Sequence, residues 1–203
     1  MSEIKAADVK ALRERTGAAM MDCKGALTEA GGDMDKAVEI LRVKGQASAA
    51  KRAGRSTTEG TVASYVHANG KIGVLVEVQC ETDFVARNEE FQELAREIAL
   101  HVAAAAPHYV SADEIPEDVE ASERAVFEQR AEEEGKPEDV RERIVDGQLA
   151  KWRKEIALLD QVHVNSDKHE GKTIEELRAA AAAGTGENIV IARFARFAVG
   201  EGA

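Results

Sequence analysis

Between Ile72 and Val102 the hydrophobic period of the chain changes, and that change constrains the fold more than any other feature. The run Ile72-Gly73-Val74-Leu75-Val76-Glu77-Val78 is β-branched and apolar, the pattern of a largely buried strand. Beyond it Phe91, Leu94, Ala95, Ile98 and Val102 recur at helical spacing. Between the two lies the segment Glu77 to Arg87, in which Thr82 and Asp83 are placed to cap the helix or a short turn leading into it. An acid and a large ring, Asp83 and Phe84, therefore stand where a strand gives way to a helix. Such a pair serves either as cap and core or as a probe that enters another protein, and these residues alone leave both readings open.

The rest of the chain supplies partners for that strand and helix. Thr61 to Ala68 is a β-rich run followed by Asn69-Gly70, a hairpin signal because both residues accept the positive φ of a type I′ turn. The helix after the junction runs to about Ala105, where Pro107 ends it. From Pro116 to Asp160 the sequence is charge-rich, with apolar positions Val119, Val126, Ile144, Leu149, Trp152, Ile156 and Leu159 and a break at Gly135-Lys136-Pro137. Two helices joined by a turn fit this pattern, with Glu132-Glu133-Glu134 as a solvated face. Val162-His163-Val164 reads as a short strand, Thr173 to Ala183 as an alanine-rich helix, and Ile189 to Val199 as a closing strand. Strands separated by helices, with a hairpin first, predict an α+β domain over residues 61–203.

Residues 1–45 read as a separate module of three short helices. Val9 and Leu12 face inward in the first, which Thr16-Gly17 ends; Met20, Cys23, Leu27 and Ala30 form the stripe of the second, closed by Gly31-Gly32. Asp33 is placed to cap the third, whose apolar positions are Met34, Ala37, Val38 and Leu41 and whose stop is Gly45. Met20 and Met21 read first as core, as methionines at helical spacing usually are, but adjacent residues point about 100° apart on a helix, which leaves room for one of them to be exposed for an adaptable contact. Residues 46–60 are small, polar and locally basic through Lys51, Arg52 and Arg55, a helical or mobile linker.

Composition bounds the function. At 203 residues, one main domain plus a small one is the natural partition. A formal charge of −11 sets the field of the chain against nucleic acid, so a free-standing RNA or DNA binder is disfavoured. No apolar run reaches the length of a membrane span, and the N-terminus lacks the apolar core of a signal peptide, so the expectation is a cytoplasmic protein whose mature chain begins here. Cys23 and Cys80 have no metal-ligand spacing and are expected as buried reduced thiols. His67, His101, His108, His163 and His169 form neither an HExxH pattern nor any Cys/His ligand set. Gly184-Thr185-Gly186-Glu187-Asn188-Ile189 begins like a dinucleotide loop, but it follows a helix, precedes a strand and lacks the third glycine. With no Walker A loop and no nucleophile elbow, the chain is expected neither to bind nor to hydrolyse nucleotide itself: not an enzyme, with no cofactor and no metal of its own.

Three segments carry a resemblance to a known family. Thr82-Asp83-Phe84-Val85-Ala86-Arg87 resembles the second signature of bacterial elongation factor Ts, with Gln79 where the family usually has asparagine. Leu12 to Lys24 is similar to its first signature, with Ala19 where glycine is usual. Gly186 to Phe197 is similar to its last strand, with Ala192 where arginine is common. The three lie in the family's order and cover nearly the whole chain.

The resemblance implies a guanine-nucleotide exchange factor that binds elongation factor Tu in its GDP form. It implies that the 1–45 module is of the ubiquitin-associated type and contacts the partner through Arg13, Met20, Met21 and Lys24. It also implies that Thr82, Asp83, Phe84 and Val85 displace groups that order the partner's magnesium. Long members of the family carry two related core halves, whereas this chain has one, so a homodimer is expected. Two rivals need no exposed ring: an adaptor that uses the three-helix module to bind ubiquitin-like folds, and an oligomeric structural protein that uses its charged helices for assembly.

Overall fold

The structure is a computed structural model that describes residues 4–201. The chain's first three residues, on which the expectation about its start in part rests, lie outside the described residues. Two units are distinguished: one formed by the residues up to Leu100 and from Glu175 on, the other by His101 to Ile174.

In the first unit, helices α1 (Ala6–Thr16), α2 (Met20–Glu29) and α3 (Met34–Arg52) come first. They pack around Val9, Leu12, Cys23, Ala26, Leu27, Ala37 and Leu41, with Ala30, Met34 and Val38 at the margin. Gly17 ends α1 at φ +69 and donates its N–H to the Arg13 carbonyl, a left-handed stop that other residues adopt only with strain. Asp33 caps α3 by accepting from the Lys36 N–H at 3.1 Å. Two expectations need correction. Both Met20 and Met21 are exposed, so neither fills the core. Gly45 does not stop α3, which continues to Arg52. A glycine inside a helix costs only about 1 kcal/mol, and the alanine-rich residues that follow, with Ala49 buried, offset it.

The sheet of this unit has the order β1 (Glu59–Val66), β2 (Ile72–Cys80), β3 (Val190–Ala198), all antiparallel. The hairpin falls where Asn69-Gly70 put it, but not as type I′. Only Gly70 has positive φ, and Asn69 instead accepts the Lys71 N–H on its side-chain oxygen at 3.0 Å. Val74, Val76, Val78 and Cys80 alternate onto the buried face with Ala63 and Ile191, while Val62, Val66, Leu75 and Phe197 are exposed. Gly60 lies so close to the Val78 carbonyl that a Cβ there would collide with the backbone. A bulge between Glu77 and Val78 leaves Ala192 without a partner in the register. Single-turn α4 (Asp83–Ala86) follows β2, then α5 (Glu89–Ala105), which buries Phe91, Ala95 and Ile98.

The second unit holds the last turn of α5 and the pair α6 (Glu117–Glu133) and α7 (Glu138–Ile156), joined at Gly135 with φ +67. Their seam is Phe127, Ala131, Val145 and Leu149, with Trp152 against it. Val119 and Val126, expected inside, face solvent. Arg153 donates to both carboxylate oxygens of Glu120 and holds that carboxyl below its usual range. Val162 makes one bridge to Thr173, so the expected 162–164 strand reduces to a single contact. Backbone there is taken up by histidines instead: the Val164 N–H donates to His101 Nδ1 and the Asn165 N–H to His163 Nδ1, both at 3.1 Å. Helix α8 (Ile174–Thr185) leads back to β3 in the first unit. The described chain is thus α+β, and none of its described helices is long and apolar enough to cross a membrane.

Candidate functional site

Thr82 closes β2 in extended backbone and caps α4, accepting the Val85 N–H on its hydroxyl at 3.4 Å and the Ala86 N–H on its carbonyl at 3.1 Å. The chain then turns at once into α5, where the Asn88 side chain accepts from the Glu90 N–H at 2.7 Å and Gln92 donates to the Ala86 carbonyl at 2.6 Å. A single helical turn is held at both ends and turned outward in the middle. Ala86 is its buried residue, Val85 is half-buried, and Phe84 is 82% exposed. The junction is capped by Thr82, as one reading of the sequence required, but the ring is not core. Asp83 pairs with Arg87 at 3.1 Å, an exposed pair that holds the acid only weakly.

Beneath the turn, every polar atom of Thr82 is engaged. Glu187, just before β3, accepts from the Glu81 N–H and the Thr82 N–H at 3.0 Å each and from the Thr82 hydroxyl at 2.6 Å. The arrangement is reciprocated: the Glu81 carboxylate accepts the Asn188 N–H at 2.6 Å and lies 3.3 Å from the Arg55 guanidinium. The Asn188 hydrogen bond, then Arg55, hold the Glu81 carboxyl below its usual range. Asn188 is buried and donates its side-chain amide to the carbonyls of Arg55 and Ala53 at 3.0 and 3.4 Å. Cys80 donates its thiol to the Thr82 carbonyl at 3.3 Å; burial first, and the Glu187 charge second, push that thiol up to about 11. Both cysteines are free and buried.

Sequence reasoning singled out Thr82, Asp83, Phe84 and Val85, which the fold brings together on this turn, and missed Glu187, Asn188 and Glu81. It also treated Arg55 as part of a basic linker, whereas its guanidinium is paired with Glu81. The missing signal was topological. Pairing β2 with β3 antiparallel puts the end of one beside the start of the other, so 81–82 and 187–188 must meet. Arg13, Met20, Met21 and Lys24 lie elsewhere, on α1 and α2, and all are exposed. Met20 and Lys24 stand one turn apart on one face of α2, with Met21 about 100° around from Met20.

Fold and site together define an α+β protein that presents an aromatic side chain on a turn tied down by hydrogen bonds. The family model for elongation factor Ts matches residues 34–201. The chain is 55% identical to an elongation factor Ts of Anaeromyxobacter dehalogenans over 202 residues, covering 100% of this chain and 91% of that protein. It is 54% identical to one of Solidesulfovibrio magneticus over 203 residues and 100% of both chains. An elongation factor Ts of Geobacter metallireducens is 53% identical over 199 residues, which cover 98% of this chain and 91% of the relative. The chain belongs to the elongation factor Ts family, whose members are elongation factors of protein biosynthesis.

Proposed function

We propose that this chain is a guanine-nucleotide exchange factor: it binds elongation factor Tu carrying GDP and speeds departure of the nucleotide. GDP bound with magnesium is held mainly through phosphate and metal contacts, so disturbing those contacts weakens the whole site. The turn Thr82–Val85 acts as the wedge. Phe84 enters a partner pocket, worth roughly 1.5–3 kcal/mol if fully buried. Asp83 leaves its weak pair with Arg87 and displaces groups that order the magnesium shell. The observation that carries this reading is the large exposure of Phe84 on a turn whose leading residue, Thr82, has its N–H, carbonyl and hydroxyl all hydrogen-bonded.

Residues 1–45, a module of the ubiquitin-associated type, grip the nucleotide domain of the partner through Arg13, Met20, Met21 and Lys24. Residues 46–60 connect it to the core over 61–203. Linkage limits the effect, because a factor that lowers GDP affinity has its own affinity lowered by GDP to the same degree. A thousand-fold change corresponds to about 4 kcal/mol of coupling. The factor sets rates, and the cellular excess of GTP sets direction. Release of a fluorescent GDP analogue from purified elongation factor Tu tests the reading: the chain should accelerate it with a saturable concentration dependence, and no acceleration would remove the proposal.

The working form is a homodimer in this reading. Val62, Val66, Leu75 and Phe197 leave one sheet face apolar and exposed, with β1 and β3 as edge strands, and a second copy would cover them. Phe197, 73% exposed, is the ring that would enter that contact, whereas Phe194 is half-buried. Sedimentation equilibrium should report a dimer at micromolar concentration; monomer alone, with full exchange activity, would count against it.

A further inference from the structure

We infer that Glu187 is a positioning residue for exchange: it fixes the direction of the Phe84 ring by holding the two backbone N–H groups and the hydroxyl on which the turn stands. The inference rests on the wedge reading of Phe84. Because that ring lies outside the core, its own packing cannot set where it points. Nor can α4, since one helical turn has too few hydrogen bonds to hold itself. Gln92 holds the far end of the turn at the Ala86 carbonyl, and at its start the direction is set through Thr82, the last extended residue, whose N–H and hydroxyl are both taken by one carboxylate.

Glu187 is suited to this. It is half-buried, and an ionised carboxylate accepting three hydrogen bonds holds its partners more firmly than a neutral acceptor does. Its own backbone is set from both sides. Gly186 turns the chain at φ +77 after α8, and the Asn188 N–H is bound to Glu81 at 2.6 Å. Glu81 and Glu187 thus clamp each other's segments across the ends of β2 and β3. The same clamp reaches the chain beyond α3, where Asn188 holds the carbonyls of Ala53 and Arg55. A side chain that holds the turn without touching the partner should change how effectively the wedge acts once bound, and should change how tightly the chain binds far less.

The test compares wild type, Glu187→Ala, Glu187→Gln, Phe84→Ala and the double variant Phe84→Ala/Glu187→Ala in release of fluorescent GDP from elongation factor Tu. Each is titrated to saturation at a temperature where a melt shows it folded. Glu187→Ala should lower the plateau rate roughly tenfold while the half-saturating concentration moves by no more than about twofold. Glu187→Gln, which keeps one acceptor oxygen and the side-chain shape, should fall between. In the Phe84→Ala background Glu187→Ala should add nothing, because the two act through one ring. Hydrogen exchange supplies a readout independent of activity: the Glu81 and Thr82 amides should lose protection in Glu187→Ala while those of Val74, Val76 and Val78 keep theirs.

A normal plateau in Glu187→Ala, or effects of the two substitutions that add, would overturn the positioning role while leaving the wedge intact. Normal exchange by Phe84→Ala would instead remove the wedge. Should Glu187→Ala fail to fold, Glu187→Gln and Thr82→Val, which removes the hydroxyl donor, carry the same comparison, and unchanged plateaus in both would overturn the proposal.

Discussion

Phe84 and Phe127 are the same side chain used in opposite ways. Phe127 lies 8% exposed in the seam between α6 and α7, surrounded by Ala131, Val145 and Leu149. Phe84 stands 82% exposed on a turn held from beneath by polar contacts. In the helical pair the ring holds the structure; in the turn the structure holds the ring. Apolar burial stabilises without caring about direction, whereas hydrogen bonds fix direction and contribute little net stability. A surface that must project a ring outward therefore has to be tied by hydrogen bonds.

Four substitutions put this contrast at risk. Phe127→Ala should have the largest effect, costing about 3–5 kcal/mol of stability in a denaturant melt. GDP release per folded molecule should stay normal, and a loss of exchange without loss of stability would reverse the assignment of the two rings. Next comes the effect of acid on the buried histidine of the second unit. Burial pushes His101 down to about 4, opposed in part by its 2.9 Å bond to Gln161. Since the unfolded chain binds this proton near its ordinary 6.5 and the folded chain does not, stability is intact above that pH and declines as pH falls towards 4, by up to about 3 kcal/mol. His101→Gln should flatten that slope in melts between pH 7 and 4, and an unchanged slope would mean that another group carries it.

Phe84→Ala should leave the melting temperature nearly unchanged and slow stimulated release by one to two orders of magnitude, about 1.4–2.8 kcal/mol of lost coupling. Loss of stability with normal exchange would turn Phe84 into a second Phe127. Asp83→Asn should have the smallest effect, slowing release about tenfold or less with stability held, since the exposed Arg87 pair it disrupts is worth under about 1 kcal/mol. Chelating magnesium should shrink the defect, because the contacts that Asp83 disturbs are then already gone. A defect that survives chelation would detach Asp83 from the metal.

The contrast also explains which features are legible in the chain. Helix limits set by caps, Gly17 after α1 and Asp33 before α3, and strands set by dense β-branched runs are legible because their signals are local. In the seam of α6 and α7, Phe127 and Val145 stand one position beyond the expected Val126 and Ile144, while Leu149 and Trp152 fall where the pattern puts them. Val119 and Val126 are one heptad apart and resemble a stripe, but a sparse apolar pattern in a charged helix does not fix its own phase, and the facing Val145 and Leu149 select Phe127. Asn69-Gly70 locates the hairpin, yet its turn type depends on whether the Asn69 side chain bonds to Lys71, which the dipeptide does not reveal. At the site, the projecting residues are legible and their support is not. Glu187 lies over a hundred positions away from the residues it holds, so no window along the chain contains the pair.

The continuation of α3 through Gly45 to Arg52 determines how the chain tolerates changes of length. The irregular residues 56–58 before β1 would absorb an inserted residue at little cost, because loop closure depends only slowly on length. A helix keeps a register: each residue added within 46–52 would rotate the downstream chain by about 100° and advance it by about 1.5 Å. Three or four residues, close to one full turn, should be borne better than one or two, and this stretch should vary in steps of the helical repeat, as the shaft of a gear train does, and not continuously like a tether.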